Sequence, residues 1–265
     1  MKIAVSGKGG TGKTFLAGSL AACFASDGHP VIAIDADPAP NLGLTLGLTS
    51  EEAAAIVPVA ENEQLIRLKT GTEYSGVFRL TFTVDDIIAR FAVPTPSGAH
   101  LLVMGTVRSP GSGCTCPAHS VVKALMRHLI VDRDDYVILD MDAGVEHLGR
   151  GTAERVDTML VVSDANRKSL EVAGNICRMA KDAGIPAVGL VGNRIATSSH
   201  DRAVREYAAQ NGIPVAGMIP FDQAVYDNAI DGSPVDPAAS PAFREISRIA
   251  ASLVSGAWQA GGPGG

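Results

Sequence analysis

A glycine-rich segment close to the start of the chain has the residue types and spacing of a phosphate-binding loop. Its residues are Gly7, Lys8, Gly9, Gly10, Thr11, Gly12, Lys13 and Thr14, which fit the pattern G-x-x-x-x-G-K-[ST]. Glycines let successive backbone N–H groups turn towards an anion, whereas a Cβ atom would obstruct that approach. Lys13 supplies a positive charge for the β- and γ-phosphates, and the Thr14 hydroxyl is a ligand for Mg²⁺. The segment therefore predicts a site for ATP or ADP with Mg²⁺.

Three aspartates at strand ends are candidates for the rest of the chemistry. Asp35 and Asp37 close the second apolar strand, and Asp140 closes a later one. In a parallel α/β sheet, ligands bind outside the carboxyl ends of the strands, so all three acids are expected beside the nucleotide. Phosphoryl transfer depends mainly on positioning and on neutralising charge, which suits carboxylates around a metal ion. We therefore expect Asp35 and Asp140 near the Mg²⁺ ion, together with Thr14.

A strand and a helix must flank the loop to position it. Lys2 to Ser6 is an apolar run typical of a strand, and Lys13 to Asp27 is typical of a helix, so the phosphates would lie at a helix N-terminus. Strands and helices continue to alternate, which indicates an α/β fold: a mostly parallel sheet flanked by helices on both faces. We expect one ATPase domain over residues 1–255 and a flexible glycine-rich tail over residues 256–265.

The remaining expected elements follow the same alternation. Further strands are predicted at Pro30 to Asp35, Gln64 to Lys69, His100 to Gly105, Tyr136 to Asp140, Thr158 to Ser163, Ala187 to Asn193 and Val215 to Ile219. Further helices are predicted at Ala118 to Ile130, Lys168 to Ala183, His200 to Gln210 and Pro241 to Ser255. The stretch from Glu51 to Ala99 is less regular, and its pattern does not determine its structure.

A second lysine in the loop, Lys8, narrows the choice of family. Taken alone, it would be a solvated loop lysine. The pattern Lys-Gly-Gly-x-Gly-Lys-Thr, however, resembles the deviant phosphate-binding loop of an ATPase group that includes the nitrogenase iron protein and the septum-positioning and plasmid-partition ATPases. The resemblance implies that Lys8 reaches the nucleotide of a partner subunit, and hence that the protein forms a homodimer.

The same resemblance assigns roles to residues beyond the loop. It implies that Asp37 orients the attacking water, with Lys8 and Lys13 as further catalytic residues. It also implies that an asparagine after a late strand contacts the adenine base and that a later loop packs beside the base. The residues of this chain at those positions are Asn193, Arg194, Pro220 and Phe221.

Cys114 and Cys116 are the best clue to what the ATPase acts on. They lie in a loop rich in glycine and proline, which favours exposure of both thiols. Two cysteines one residue apart supply at most half of a tetrahedral thiolate site. A two-fold dimer would bring the same loop of each subunit together and complete that site. We therefore expect a metal site shared between subunits, for Ni²⁺ or Zn²⁺.

The phosphate-binding loop, the Cys-x-Cys pair and the run from Leu139 to Thr152 together resemble the CooC-type accessory ATPases of carbon monoxide dehydrogenase. The resemblance implies an ATP-hydrolysing dimer that binds a metal ion through Cys114 and Cys116 of both subunits. It further implies that the client is carbon monoxide dehydrogenase, into which nickel is inserted. One departure is Asp142, where a longer glutamate is expected in many relatives; it leaves the details of the second nucleotide-sensing switch open.

Other functions fit parts of the pattern. The same cysteines fit a bridging cluster in an iron–sulfur carrier or reductase, and taken alone they also fit incidental thiols or a redox switch. A spatial regulator of the MinD or ParA type would act through membrane or protein partners, often by a basic amphipathic C-terminal helix. In this chain, Phe243 to Trp258 carries only Arg244 and Arg248 as cations.

Length and composition argue against several classes of protein. With 265 residues, of which 46% are hydrophobic, the chain can bury a full core as one α/β domain. A net charge of −6 opposes broad nucleic-acid binding, which depends on neutralising phosphates. The chain begins directly in a strand, without a signal peptide or an apolar run of about 18 residues. We therefore expect a reducing cytoplasmic location, no membrane or nucleic-acid partner, and core positions for Cys23 and Cys177.

The role of Lys8 across a dimer interface can be tested directly. Lys8→Ala should leave nucleotide affinity within about threefold of the wild type, because Lys13 and the loop amides remain. It should weaken ATP-driven association of subunits about tenfold or more, since a charge contact at the partner's phosphates is lost. Sedimentation velocity with a slowly hydrolysed ATP analogue measures the association. A variant that dimerises as strongly as the wild type would refute the role in trans.

Overall fold

The apolar runs of the sequence form one mixed sheet with helices on both faces. The computed structural model describes residues 1–72, 79, 82–105, 117–132, 135–145, 152–232 and 235–260. Its strands are β1 (Lys2–Gly7), β2 (Val31–Asp35), β3 (Val93–Pro94), β4 (His100–Val103), β5 (Tyr136–Asp140), β6 (Thr158–Ser163), β7 (Ala187–Ile195) and β8 (Val215–Pro220). Their order is β3-β4-β2-β5-β1-β6-β7-β8, and every neighbouring pair is parallel except β3 with β4. The predicted fold class is confirmed, and β1 brings the glycine-rich loop to the interior of the sheet's carboxyl edge.

The helices follow the strands in the order expected for an α/β protein. They are α1 (Lys13–Ser26), α2 (Leu42–Thr45), α3 (Ser50–Ala54), α4 (Glu63–Thr70), α5 (Asp85–Phe91), α6 (Pro117–Arg127), α7 (Arg167–Asp182), α8 (Ser198–Gln210), α9 (Gln223–Asp231), α10 (Pro241–Ser255) and α11 (Ala257–Ala260). A π-helical turn, His128–Asp132, continues α6, and 3₁₀ turns lie at Val59–Glu61 and Ala153–Arg155. The five predicted helices correspond to α1, α6, α7, α8 and α10, with ends that differ by a few residues.

Alternation of side chains along the strands divides the core into two layers, one on each face of the sheet. On one face, Ile3 and Val5 of β1 belong to the same cluster as the apolar residues of α1 and α10. On the other face, Ala4 belongs with the buried residues of α6, α7 and α8. Strands that are buried on both faces have nearly continuous apolar sequences. For this reason, the sequence predicted these strands well.

The segment Glu63–Thr70 is a helix, so the strand predicted from Gln64 to Lys69 is wrong. Asn62 caps its N-terminus, because the Asn62 side chain accepts a hydrogen bond of 2.9 Å from the Leu65 N–H. Leu65 is buried in the core, whereas Leu68, one helical turn later, is 62% exposed. A short apolar run fits either a strand or a helix, and here the capping asparagine and the tertiary contacts favour the helix.

The C-terminal end of the described chain is packed, although the sequence predicted a flexible tail from residue 256. Helix α11 follows α10 after Gly256, and its Trp258 is only 7% exposed. The indole lies against Gly189 of β7, where an added Cβ atom would come within 2.5 Å of the ring. This one aromatic side chain extends the packed domain to Ala260. Residues 261–265 lie outside the described residues.

Helix α10 buries its apolar face in the core. Ile246, Ile249 and Leu253 are buried, and the helix packs against α1 and β8. Arg244 donates hydrogen bonds to main-chain carbonyls just before the helix, and Arg248 pairs with a glutamate one turn away. The apolar side of this helix is therefore used within the domain. Over the ranges that the structure describes, no helix combines the length and hydropathy needed to span a membrane.

Removal of the Trp258 side chain should destabilise the domain. Trp258→Ala should lower the free energy of unfolding by about 3 kcal/mol, because a buried aromatic ring and its contacts with the sheet are lost. For a chain of this size, that loss lowers the melting temperature by about 6–12 °C. Val254→Ala is the control, because Val254 is 56% exposed on α10. In calorimetry, its free energy of unfolding should lie within about 0.5 kcal/mol of the wild-type value. Equal stability of the two variants would contradict the packed role of α11.

Candidate nucleotide-binding site

The phosphate-binding loop is closely packed on both sides, against a backbone carbonyl on one side and a side-chain amide on the other. At Gly7 (φ 154°), an added Cβ atom would lie 2.4 Å from the Val162 carbonyl oxygen of β6. At Gly12 (φ 99°), it would lie 2.1 Å from the Nδ2 atom of Asn193. Between them, Thr11 closes the loop, because its hydroxyl donates to the Lys8 carbonyl at 2.8 Å. Two of the glycines are thus needed for close approach as well as for their backbone conformation.

Lys13 and Asp37 lie on the same side of the loop. The Lys13 Nζ atom is 4.0 Å from the Asp37 Oδ2 atom, and the side chains are 7% and 23% exposed. Lys13 begins α1, so its ammonium group lies where the helix N-terminus also favours anions. Lys8 is exposed at the outer surface of the loop. The structure therefore brings the predicted catalytic pair Lys13 and Asp37 together and leaves Lys8 accessible from outside the subunit.

Asp35 is fully buried, and its carboxylate accepts hydrogen bonds from backbone N–H groups. Oδ2 accepts a hydrogen bond from the Leu42 N–H at 2.8 Å, and Oδ1 accepts one from the Asp37 N–H at 3.2 Å. Burial raises the pKa of the carboxyl group above its usual range, although these backbone donors oppose the rise. Asp35 therefore anchors the turn that carries Asp37. Its predicted place near the Mg²⁺ ion stays a prediction.

Asp140 is the buried carboxylate that remains without a hydrogen-bond partner. Both of its oxygens are unpaired within the part of the chain that the structure describes, and the residue is 0% exposed. Burial raises its pKa to about 7, and the negative charge of Asp35 adds to the rise, whereas the nearby Thr14 hydroxyl and Lys13 ammonium oppose it. A buried, unpaired carboxylate beside a hydroxyl offers the hard oxygen ligands that Mg²⁺ requires. The residues at this position fit the predicted Mg²⁺ site.

The segment after Asp140 is tied to the strand that precedes the phosphate-binding loop. The Ser6 hydroxyl donates to the Asp142 carbonyl at 2.8 Å and accepts from the Gly144 N–H at 3.2 Å. Asp142, the residue that departs from the expected glutamate, directs Oδ1 to the neighbouring Ala143 N–H at 2.7 Å. Its carboxylate therefore supports the turn of its own segment.

A cavity of about 850 Å³ lies over the N-terminus of α1 and contains the predicted base-binding residues. Asn193, Arg194, Pro220 and Phe221 line it together with Gly12 and Thr14. The Asn193 side chain is also structural, because its amide nitrogen donates to the Thr11 carbonyl at 2.7 Å and its oxygen accepts from the Arg194 N–H at 2.9 Å. The structure thus joins the base-binding residues to the phosphate-binding loop.

The opposite wall of this cavity was not predicted from the sequence. It comes from α2, the start of α3 and the turn between them, and its residues are Leu44, Thr45, Gly47, Leu48, Thr49 and Ser50. Helix α2 is a single turn, too short to produce a detectable period in the sequence. The capping box of Thr49 with Glu52 was the available signal, since it marks the start of α3. The chain enters this wall soon after Asp37, since Asn41 also lines the cavity.

The two cysteines of the predicted metal site, Cys114 and Cys116, lie outside the described residues. Among the residues that are described, no group of three or more His, Cys, Asp or Glu side chains could hold a metal ion. Cys177 is buried in the core as expected, and burial raises the pKa of its thiol to about 12. Cys23 is half-buried on α1, with its sulfur 3.7 Å from the Ser247 hydroxyl.

Comparison with known proteins extends this description from the site to the whole chain. A profile of the CobQ/CobB/MinD/ParA nucleotide binding domain matches residues 2–235. The chain belongs to this family. The ATPase activity predicted from the loop and the strand-end aspartates is therefore confirmed at the level of the family.

Two relatives match most of the chain. The carbon monoxide dehydrogenase accessory protein CooC of Rhodospirillum rubrum is 41% identical over 227 residues, which cover 85% of each chain. An uncharacterized ATP-binding protein of Methanocaldococcus jannaschii is 38% identical over 252 residues, or 94% of this chain and 96% of the relative. The crystal structure of the MinD cell division protein of Aquifex aeolicus matches with a TM-score of 0.66 at 20% identity, over 96% of this chain and 97% of that chain. The predicted resemblance to the CooC type is confirmed, and the MinD likeness shows the shared fold.

The raised pKa of Asp140 predicts how stability depends on pH in protein prepared without nucleotide or Mg²⁺. The folded state holds a proton up to about pH 7 that the unfolded chain releases near pH 4, so this group's contribution to stability falls as the pH rises from about 4 to 7. Asp140→Asn should therefore raise the melting temperature at pH 8 by at least about 2–4 °C, since one pKa unit corresponds to about 1.4 kcal/mol. It should also flatten the decline in stability between about pH 5 and pH 7, which lies between the pKa values of the unfolded and folded states.

The matched control for this experiment is Asp142→Asn, which removes a nearby carboxylate but leaves Asp140 in place. In scanning calorimetry, this variant should keep the wild-type decline in melting temperature between about pH 5 and pH 7. If Asp140→Asn declined as steeply as the wild type over that interval, the assignment of the raised pKa to Asp140 would be wrong.

Proposed function

We propose that this protein is an ATP-hydrolysing, dimeric metallochaperone that binds Ni²⁺ or Zn²⁺ at an intersubunit Cys-x-Cys site and assists nickel insertion into carbon monoxide dehydrogenase. The observation that carries the proposal is 41% identity to CooC of Rhodospirillum rubrum over 85% of both chains. That relative is named as an accessory protein of carbon monoxide dehydrogenase. Cys114 and Cys116 supply the thiolates that such a cargo requires. The proposed location is the cytoplasm.

The residues around the loop have separate roles in ATP hydrolysis. Lys13 and the loop N–H groups bind the phosphates, and Lys13 neutralises charge that develops on them. Asp37, 4.0 Å from the Lys13 ammonium, positions the attacking water at the γ-phosphate. Thr14 and Asp140 would hold Mg²⁺, which neutralises phosphate charge when it is bound. Asn193, Arg194, Pro220 and Phe221 bind the base.

The end of β4, from which the chain continues towards Cys114 and Cys116, lies beside the turn from Asp35 to Asp37. β4 pairs with β2 in parallel register, with Val103 opposite Asp35. The Met104 N–H then donates to the Asp35 carbonyl at 2.9 Å, just before the chain leaves towards Cys114 and Cys116. A movement of the Asp35 to Asp37 turn on nucleotide binding would therefore act on the start of the cysteine loop. This adjacency supports coupling between ATP hydrolysis and the geometry of the metal site.

A dimer is needed to complete both functional sites. Two thiolates per subunit leave a soft metal ion half-coordinated, and an isologous interface would supply the other two. Lys8 is exposed on the loop, where it is free to reach a partner's nucleotide. ATP would then close the dimer and bring the two cysteine pairs together, and hydrolysis would release them.

Anaerobic metal titration on a sizing column tests the proposal. Wild-type protein should bind about one Ni²⁺ or Zn²⁺ ion per dimer, and ATP should promote the dimer. The double variant Cys114→Ser/Cys116→Ser should lose at least about tenfold in metal affinity, because both thiolate ligands are removed. Cys23→Ser is the matched control: it removes a half-buried thiol of α1 and should keep the wild-type metal content.

The outcomes separate this function from its rivals. Metal binding that is independent of Cys114 and Cys116 would overturn the shared thiolate site. A broad absorption near about 400 nm with stoichiometric iron and sulfide after anaerobic reconstitution would favour an iron–sulfur carrier or reductase instead. ATP-dependent sedimentation with liposomes would favour a spatial regulator. Activation of nickel-deficient carbon monoxide dehydrogenase by the loaded protein and ATP would identify the client.

A further inference from the structure

Ser6 is a buried hydroxyl at the point where β1 passes into the phosphate-binding loop. It is 0% exposed and lies directly before Gly7. Its Oγ atom donates to the Asp142 carbonyl at 2.8 Å, accepts from the Gly144 N–H at 3.2 Å and lies 3.3 Å from the Gly144 carbonyl. One side chain therefore contacts both ends of the short segment that follows the Mg²⁺-binding carboxylate.

This segment has few other attachments. Met141 is still held by the sheet, because its N–H donates to the Val5 carbonyl at 3.0 Å. The Asp142 side chain bonds only within its own segment, to the Ala143 N–H. In the described ranges, every hydrogen bond that joins residues 142–144 to the rest of the protein involves Ser6. Removal of that hydroxyl would leave a buried N–H and a carbonyl without their partner.

Ser6 is well suited to act as the fixed end of this contact. β1 is paired on both sides, with Val5 opposite Asp140 of β5 and Ser6 opposite Val161 of β6. The next residue, Gly7, is paired with Val162 of β6 and lies so close to its carbonyl that a Cβ atom would not fit. The hydroxyl therefore holds residues 142–144 against a rigid strand.

We propose that Ser6 is a positioning residue for ATP hydrolysis: its hydroxyl holds the main chain of Asp142 to Gly144 beside the phosphate-binding loop. Gly144 has a φ of 129°, a backbone conformation that favours glycine. The segment is therefore held in an unusual turn, and this turn directs the Gly144 N–H towards the Ser6 hydroxyl. Phosphoryl transfer depends mainly on the position of the groups around the γ-phosphate. Loss of the hydroxyl should therefore slow turnover without weakening ground-state binding of ATP. The proposal concerns hydrolysis itself and is independent of the metal cargo.

The test is steady-state kinetics on the full chain. Ser6→Ala should lower kcat about tenfold while the ATP dissociation constant stays within about twofold of the wild type. Ser6→Thr retains the hydroxyl and should restore kcat to within about threefold of the wild type. Hydrogen exchange should find faster exchange of the Gly144 amide in Ser6→Ala, because its acceptor is gone.

The matched control is Ser163→Ala, at the carboxyl end of the neighbouring strand β6. Ser163 is also 0% exposed, but among the residues that the structure describes its hydroxyl bonds only to the carbonyl of the next residue, Asp164, at 2.9 Å. This variant should keep kcat within about twofold and leave exchange of the Gly144 amide unchanged. If Ser6→Ala keeps wild-type kcat, or if Ser163→Ala loses as much, the proposal is overturned. Should Ser6→Thr fold poorly, unchanged exchange at Gly144 in Ser6→Ala would overturn it independently.

Discussion

The phosphate-binding loop meets its neighbours through contacts that leave no space for a Cβ atom at two of its glycines. Gly7 lies against the backbone of β6, and Gly12 lies against the Asn193 side chain at the end of β7. Because Asn193 also donates to the Thr11 carbonyl, the loop is joined to the wall of the base cavity. The phosphate and base parts of the site are thereby fixed relative to each other, and the aspartates of neighbouring strands take their positions from this frame.

The strand order explains how a change at the nucleotide would spread. β1 lies beside β5, β5 beside β2, and β2 beside β4, so the phosphate-binding loop, the segments that follow Asp140 and Asp35, and the end of β4 leave one edge of the sheet side by side. Hydrogen bonds continue past the strand ends, from the Ala36 N–H to the Asp140 carbonyl and from the Met104 N–H to the Asp35 carbonyl. A shift of one of these segments would therefore move the neighbouring segment to which it is hydrogen-bonded.

The C-terminal helix α10 uses its apolar face within the domain. An amphipathic helix that serves a membrane must keep its apolar face free. In α10, Ile246, Ile249 and Leu253 are instead buried against α1 and β8, and Trp258 packs just beyond. The apolar residues there stabilise the domain.

The sequence by itself determined the loop, the strands around it and the aspartates at their ends, because these depend on local rules: glycines at set spacing, apolar strands buried on both faces, and acids at strand termini. It also indicated the family. Only the tertiary structure decided that Gln64 to Lys69 lie in a helix and that Trp258 closes the domain. It also decided that Asp35 accepts hydrogen bonds from the backbone, whereas Asp140 has no hydrogen-bond partner among the described residues. The last two acids have the same sequence context, an apolar strand followed by an aspartate. What separates them is which backbone N–H groups the fold brings within reach, and that depends on contacts between residues far apart in the chain.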